Sequence, residues 1–163
     1  MKAKRVLLVM LSIVMIFTLV ACGGGSGESE GDQNPTYDLK LNAQYAADYP
    51  DTISLERAAA TIAEKTNGAV NIKIYPSGPM GDYTQVYEEV MKGTIDMASI
   101  TIPSQFDERL EISIIPYLTT NYDEAKRVFS KGSFFYDTFA EINGDLGVQL
   151  LNIYMDGYMG IGA

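Results

Sequence analysis

Val70 to Ile100 reads VNIKIYPSGPMGDYTQVYEEVMKGTIDMASI. Val70, Ile72 and Ile74 alternate with Asn71, Lys73 and Tyr75, the two-residue period of a half-buried strand. The run stops at Pro76, and the six residues Pro76 to Gly81 hold two prolines and two glycines. Tyr83, Val86, Tyr87, Val90 and Met91 then fall on one face of a helix, with Asp82 and Gln85 spaced as a capping box and Gly93 placed to end it. Ile95 to Ile100 is a second short apolar run that reads as a strand. A strand, a turn, a helix of this length and another strand make the unit that joins two parallel strands by a right-handed crossover.

The same pattern extends on both sides. Tyr37 to Tyr45 alternates loosely and reads as a strand. Asp51 to Asn67 reads as a helix whose apolar face is Leu55, Ala58, Ala59, Ile62 and Ala63; Asp51 or Thr52 can cap its start, and Gly68 sits where a left-handed residue ends it. Ile112 to Leu118 is apolar but carries Pro116, so it reads as an edge or a bend. Two helices follow, Tyr122 to Ser130 and Phe134 to Ile142, with Asn143-Gly144 as a stop, and Gly147 to Met155 reads as a last strand. The order implies an α/β fold with a mainly parallel sheet flanked by helices. In such sheets ligands sit beyond the carboxyl ends of the strands. The turn at Pro76–Gly81 lies at one of those ends. It is either a tight strand-to-helix connection with no ligand, or a place where backbone and a helix N-terminus come close to one.

Composition removes several classes of function. The 163 residues include no histidine, no tryptophan and one cysteine. Serine–histidine and cysteine–histidine catalytic pairs are absent, and so are imidazole ligands for a metal. The formal net charge is −9, which leaves no basic stripe to neutralise phosphates, so the chain reads as no binder of nucleic acid. An enzyme built on paired carboxylates would draw on Glu88-Glu89, Asp107-Glu108 or Asp123-Glu124. Adjacent helical residues point about 100° apart and do not converge on one bond, so these read as solvated charges and the chain as no enzyme. No cofactor or metal is implied.

The amino terminus belongs to export. Lys2, Lys4 and Arg5 precede an apolar run, Val6 to Val20, that is shorter than the roughly 20 residues of a spanning helix. Leu19-Val20-Ala21-Cys22 resembles the lipobox of bacterial lipoproteins, and the chain's sole cysteine stands at the position that is lipidated in that family. Residues 1–21 are therefore expected to be a lipoprotein signal peptide. Residues 22–35 are expected to be a lipidated Cys22 followed by a disordered glycine, serine and acidic tether spanning about 20 Å. Residues 36–163 are the folding part.

In that part, Asn67-Gly68, Pro76-Ser77-Gly78-Pro79-Met80-Gly81 and Gly93-Thr94-Ile95-Asp96-Met97 resemble, in order, motifs of the substrate-binding proteins of TRAP transporters, the DctP-like family. The segment IIPYLTTNYDEAKRVF, from Ile114, is similar to a further family segment, and the resemblance covers roughly Tyr37 to Tyr158. It implies a periplasmic-binding-protein type II-like fold and a two-lobed receptor that closes on a small organic acid, a C4-dicarboxylate or related carboxylate. The receptor hands its ligand to TRAP permease membrane subunits. Here it would be held to membrane lipid through Cys22, on the outer side of the cell membrane or in the periplasm. The resemblance places ligand-facing groups at Gln44, Tyr45, Ser99 and Thr101, with Tyr83 as a weaker candidate.

Two departures stand out. Many members carry arginine where this chain has Met159, and the family's carboxylate-clamping arginine on the second lobe would fall beyond Ala163. The chain is expected to be a truncated first lobe with the second lobe missing, and to bind no ligand usefully by itself. Two alternatives share the architecture or the anchor: a binding protein of an ABC transporter, and a lipid-anchored surface interaction protein.

Overall fold

The computed structural model describes residues 35–158. The expected signal peptide, the expected lipidation site Cys22, the expected tether up to residue 34, and Met159 lie outside the described residues. Three strands form a parallel sheet in the order β2-β1-β3. They are β1 (Tyr37–Ala43), β2 (Val70–Tyr75) and β3 (Met97–Ser99). Tyr37 pairs with Val70 and Asn42 with Tyr75 on one side of β1, and Leu41 pairs with Met97 and Ala43 with Ser99 on the other. Helices α1 (Pro50–Lys65) and α2 (Tyr83–Lys92) supply the two crossovers. The central strand is buried at Leu41, Asn42 and Ala43 alike, as a strand covered on both faces must be. β3 is shorter than the expected Ile95–Ile100, because only Leu41 to Ala43 of β1 lie opposite to pair with it.

The start of α1 differs from the reading above. Its N-cap is Tyr49, with no side-chain cap bond, and Pro50 opens the helix. Proline at the first helical position has its φ preset and lacks an N–H that would otherwise be orphaned, so the helix begins before Asp51 and Thr52. Both of those are buried in its first turn and serve other partners. At the far end Asn67 and Gly68 take φ of 52° and 79°, and the Gly68 N–H bonds the Ala63 carbonyl at 2.8 Å. Along the expected apolar face Leu55, Ala59, Ile62 and Ala63 are half-buried, while Ala58 is exposed.

Helix α2 follows the expectation closely. Asp82 and Gln85 form the reciprocal capping box, Gly93 ends the helix at φ 75°, and Val86 and Tyr87 are buried. Two short 3-10 segments, Ser104–Phe106 and Glu108–Ile114, come next. The apolar Ile112–Leu118 stretch is thus the end of a 3-10 turn and a bend through Tyr117, at φ 61°, and no edge strand.

Helices α3 (Tyr122–Phe129) and α4 (Phe134–Asp145) are capped by Asn121 and Ser133. The expected stop at Asn143-Gly144 is not one: α4 runs through it, and the chain turns at Gly147, φ 78°. Oδ1 of Asn143 accepts the buried Tyr87 hydroxyl at 2.8 Å, and its Nδ2 donates to the Phe139 carbonyl one turn back at 2.7 Å, which holds the side chain against its own helix. Residues 147–155, expected as a strand, form none, since nothing among the described residues offers them a ladder. They are held by side chains: the Tyr136 hydroxyl donates to the Leu150 and Leu151 carbonyls at 3.3 and 3.1 Å. Leu110, Phe135, Phe139 and Ile142 make the core beneath them, with Phe129 set edge-on against Phe135 at 4.9 Å.

Candidate functional site

The turn Pro76–Gly81 is stitched to the end of β1. The Ser77 N–H bonds the Tyr45 carbonyl at 2.7 Å, and the Gly78 N–H bonds the Ala43 carbonyl at 2.9 Å. The Met80 N–H donates to Oδ1 of Asn42 at 3.3 Å. To reach all three acceptors the backbone passes through φ of 66° at Ser77, 58° at Gly78 and 130° at Gly81. Gly81 is required for a second reason. A Cβ there would lie 2.7 Å from Oε1 of Gln85, the atom that accepts the Asp82 N–H in the capping box. The two prolines and two glycines thus fold a turn back onto the neighbouring strand and deliver the chain to the first turn of α2.

Between this turn, β1 and α2 lies an open hollow of about 340 Å³. Asn42 and Gln44 form one side, Ser77, Gly78 and Gly81 another, and Asp82, Tyr83 and Ile100 close the rim. None of these residues carries a positive charge. The one carboxylate, Asp82, already accepts the Thr84 and Gln85 N–H groups at 2.9 Å each through Oδ1. The hollow therefore offers carboxamides and hydroxyls.

Of the five candidates, Gln44 and Tyr83 line the hollow. Thr101 joins them at second hand: its backbone N–H donates to Oε1 of Gln44 at 2.8 Å and fixes that carboxamide, whose nitrogen has no acceptor among the described residues. Ser99 and Tyr45 are committed elsewhere. The Ser99 hydroxyl donates to Oδ2 of Asp51 at 2.9 Å. The Tyr45 ring stacks on Tyr49 at 4.3 Å, and its hydroxyl donates to Asp156. That bond to Asp156, with burial, pushes the Tyr45 phenol up to about 12. Burial pushes the Asp51 carboxyl up, the Ser99 hydroxyl pulls it part of the way back, and the charge of Asp156 pushes it up again.

Asn42 was missed by the sequence reading. Its signal is a carboxamide between the apolar Leu41 and Ala43 at the carboxyl end of the strand. Arg109, exposed to solvent, forms two ion pairs, with Asp107 at 2.7 Å and Asp145 at 2.9 Å. The carboxylate pairs are also taken up locally: Glu88 and Glu89 by Lys92, Asp107 by Arg109, and Glu124 by the Thr120 N–H and hydroxyl. A second, more open hollow runs between α1 and β2, along Glu56, Ala59, Ala63, Ile72, Lys73 and Ile74.

Comparison with known proteins gives the arrangement a setting. The profile of the family described as bacterial extracellular solute-binding protein, family 7, matches residues 41–163. A solute-binding protein of Chromohalobacter salexigens is 28% identical over 99 residues, which is 58% of this chain and 30% of that protein. The sialic acid-binding periplasmic protein SiaP of Vibrio cholerae is 24% identical over 98 residues, 59% of this chain and 30% of its own. The chain thus spans about three tenths of the length of these relatives. Among solved structures, a TRAP periplasmic solute-binding protein of Haemophilus influenzae with bound L-gulonate superposes with a TM-score of 0.63 at 25% identity, covering 70% of this chain and 38% of that one. One from Desulfovibrio salexigens with bound orotic acid gives 0.62 at 25%, covering 69% and 36%.

Proposed function

We propose, from the fact that the chain belongs to family 7 of the bacterial extracellular solute-binding proteins, that it supplies the first-lobe wall of the ligand site in an extracytoplasmic solute receptor. The observation that carries this reading is the hollow beyond the carboxyl ends of β1 and β2, with Gln44 and Tyr83 facing it and Thr101 bracing Gln44. Amide and hydroxyl groups in such a place bind an oxygen-rich solute reversibly, with no bond made or broken. The ligand is a small organic acid, either a C4-dicarboxylate or one of the hydroxylated acids of the kind the Haemophilus influenzae protein holds. Its carboxylate finds no cation among the residues that line the hollow, so charge neutralisation falls to residues outside it. By itself this wall binds weakly. The partners are the membrane subunits of a TRAP permease, and lipid on Cys22 keeps the receptor at the outer face of the membrane.

The exposed rings of Tyr117 (91%) and Phe134 (84%) favour a second reading, a lipid-anchored surface that meets another protein. Uptake separates the two. Cells lacking the gene should lose transport of at least one radiolabelled organic acid, and that transport should collapse with the ion gradient rather than with ATP. Unchanged uptake of C4-dicarboxylates, sugar acids and aromatic acids would leave the interaction reading standing. Loss of uptake that tracks ATP would assign the chain to an ABC system.

A further inference from the structure

β2 stands at one edge of the sheet, and nothing among the described residues pairs with its outer side. The Tyr37 N–H bonds the Ala69 carbonyl at 2.7 Å, which sets the alternation along β2. The backbone groups of Asn71, Lys73 and Tyr75 face β1, and those of Val70, Ile72 and Ile74 face outward. The Val70 N–H is taken by the Thr66 hydroxyl at 3.0 Å. The N–H and carbonyl groups of Ile72 and Ile74 remain, a short template for another strand. Antiparallel pairing of two such edges about Ile72 would exchange both bonds between the two Ile72 residues. It would also set Lys73 opposite Asn71, so no like charges meet.

Helix α1 flanks the same edge, where Glu56, Ala60 and Ala63 line the hollow beside β2. Its charges run Glu56-Arg57, then an alanine-rich stretch, then Glu64-Lys65. Turned end for end, that order brings opposite signs together. Arg57, Ala60 and Glu64 share one flank of the helix and are exposed, and neither charge has an ion pair among the described residues. The point midway between Arg57 and Glu64 lies about 8 Å along the helix from Thr66, and Ile72 lies about 7 Å along the strand from Val70. Thr66 and Val70 are hydrogen-bonded, so the two midpoints stand nearly level. One two-fold axis therefore serves both the strand and the helix.

We infer that this edge is where the chain meets a second copy of itself: the two β2 strands pair antiparallel about Ile72, the two sheets become one, and Arg57 of each copy meets Glu64 of the other. Any extended peptide could take the backbone bonds, but the reversed charge order of α1 is matched by a second α1. The inference goes beyond the receptor reading and does not depend on it.

The test is sedimentation velocity of the full chain in a non-ionic detergent, from micromolar to hundreds of micromolar protein. The parent should pass from monomer to dimer across that range. Arg57→Glu and Glu64→Arg should each weaken the dimer roughly tenfold, because two symmetry-related attractions become repulsions. The double variant should restore it. Ile72→Pro removes an outward N–H that β1 does not use, and it should stay monomeric, with circular dichroism checking that it folds. A parent that is monomeric throughout would overturn the inference. A dimer that the single charge reversals leave unweakened, or a loss that the double variant does not rescue, would overturn it too.

Discussion

The hydroxyl of Ser99 donates to Oδ2 of Asp51 at 2.9 Å, tying the end of β3 to the first turn of α1 across the sheet. Asp51 is 3% exposed, so a carboxylate has been taken out of water and given one hydroxyl donor. Burial is the larger effect and leaves its proton held more tightly than in the unfolded chain. Such a group contributes stability that is fully present below the unfolded-state value and is lost as pH rises through the folded one.

Asp51→Asn should therefore gain on the parent chain as pH is raised from about 4, the ordinary aspartate value, to neutrality. The gain should shrink towards acid. Ser99→Ala, which removes the one group pulling the Asp51 carboxyl down, should widen it. Melting temperatures across that range measure the difference, and a difference independent of pH would mean that Asp51 is ionised in the fold as readily as out of it.

The junction between turn and helix should fail in two ways. Asp82→Ala removes the acceptor for the Thr84 and Gln85 N–H groups and should cost about 0.5–2 kcal/mol. Gly81→Ala asks an L-residue to hold φ 130° with its Cβ against Gln85, so it should cost about 1–3 kcal/mol. The two act on one capping box, and the double variant should lose less than the sum. Urea denaturation of the three variants checks this; full additivity would mean that the cap and the turn are independent.

Tyr87 and Asn143 make a buried bond between α2 and α4, the hydroxyl donating to Oδ1 at 2.8 Å with both residues almost fully enclosed. Tyr87→Phe should cost about 1–3 kcal/mol, because the asparagine oxygen is left without a donor. Burial, with the charge of Asp107 behind it, also pushes the Tyr87 phenol up to about 12. Its contribution is intact below the usual tyrosine value of about 10 and falls away as pH climbs past it. The parent chain should lose its advantage over Tyr87→Phe in that alkaline window, as read by circular dichroism.

Lipidation at Cys22 has its own test. Cys22→Ser should accumulate as an uncleaved precursor that takes up no labelled palmitate, while the parent is processed and labelled. A parent protein released to the medium with an unmodified Cys22 thiol would contradict the anchor.

Much of the architecture was legible because it rests on local rules. The alternation of Val70, Ile72 and Ile74, the capping pair Asp82 and Gln85, and Gly93 each act within a few residues. What was hidden depends on distant partners. Pro50 moved a helix start, the bond from Tyr87 carried α4 past Asn143, and the 147–155 segment has the composition of a strand without a ladder to join. The candidate site divides the same way. Gln44 and Tyr83 sit at element ends, where position alone puts them at the hollow. Ser99 and Tyr45 occupy equally suitable positions, but Asp51 and Asp156, far off in sequence, claim their hydroxyls. Asn42 escaped because a polar residue on a central strand declares its role only once its neighbours are known.

The central claim is that solute meets this chain at the hollow beyond β1 and β2. The backbone amide shifts of the full chain on addition of D-glucuronate measure it most directly. The account predicts shifts confined to residues 42–45, 77–83 and 100–101, still far from saturation at millimolar solute, because no cation lines that wall. Shifts centred on the gap between α1 and β2, around Ala59, Ala63 and Ile72, or saturation at micromolar solute, would contradict it.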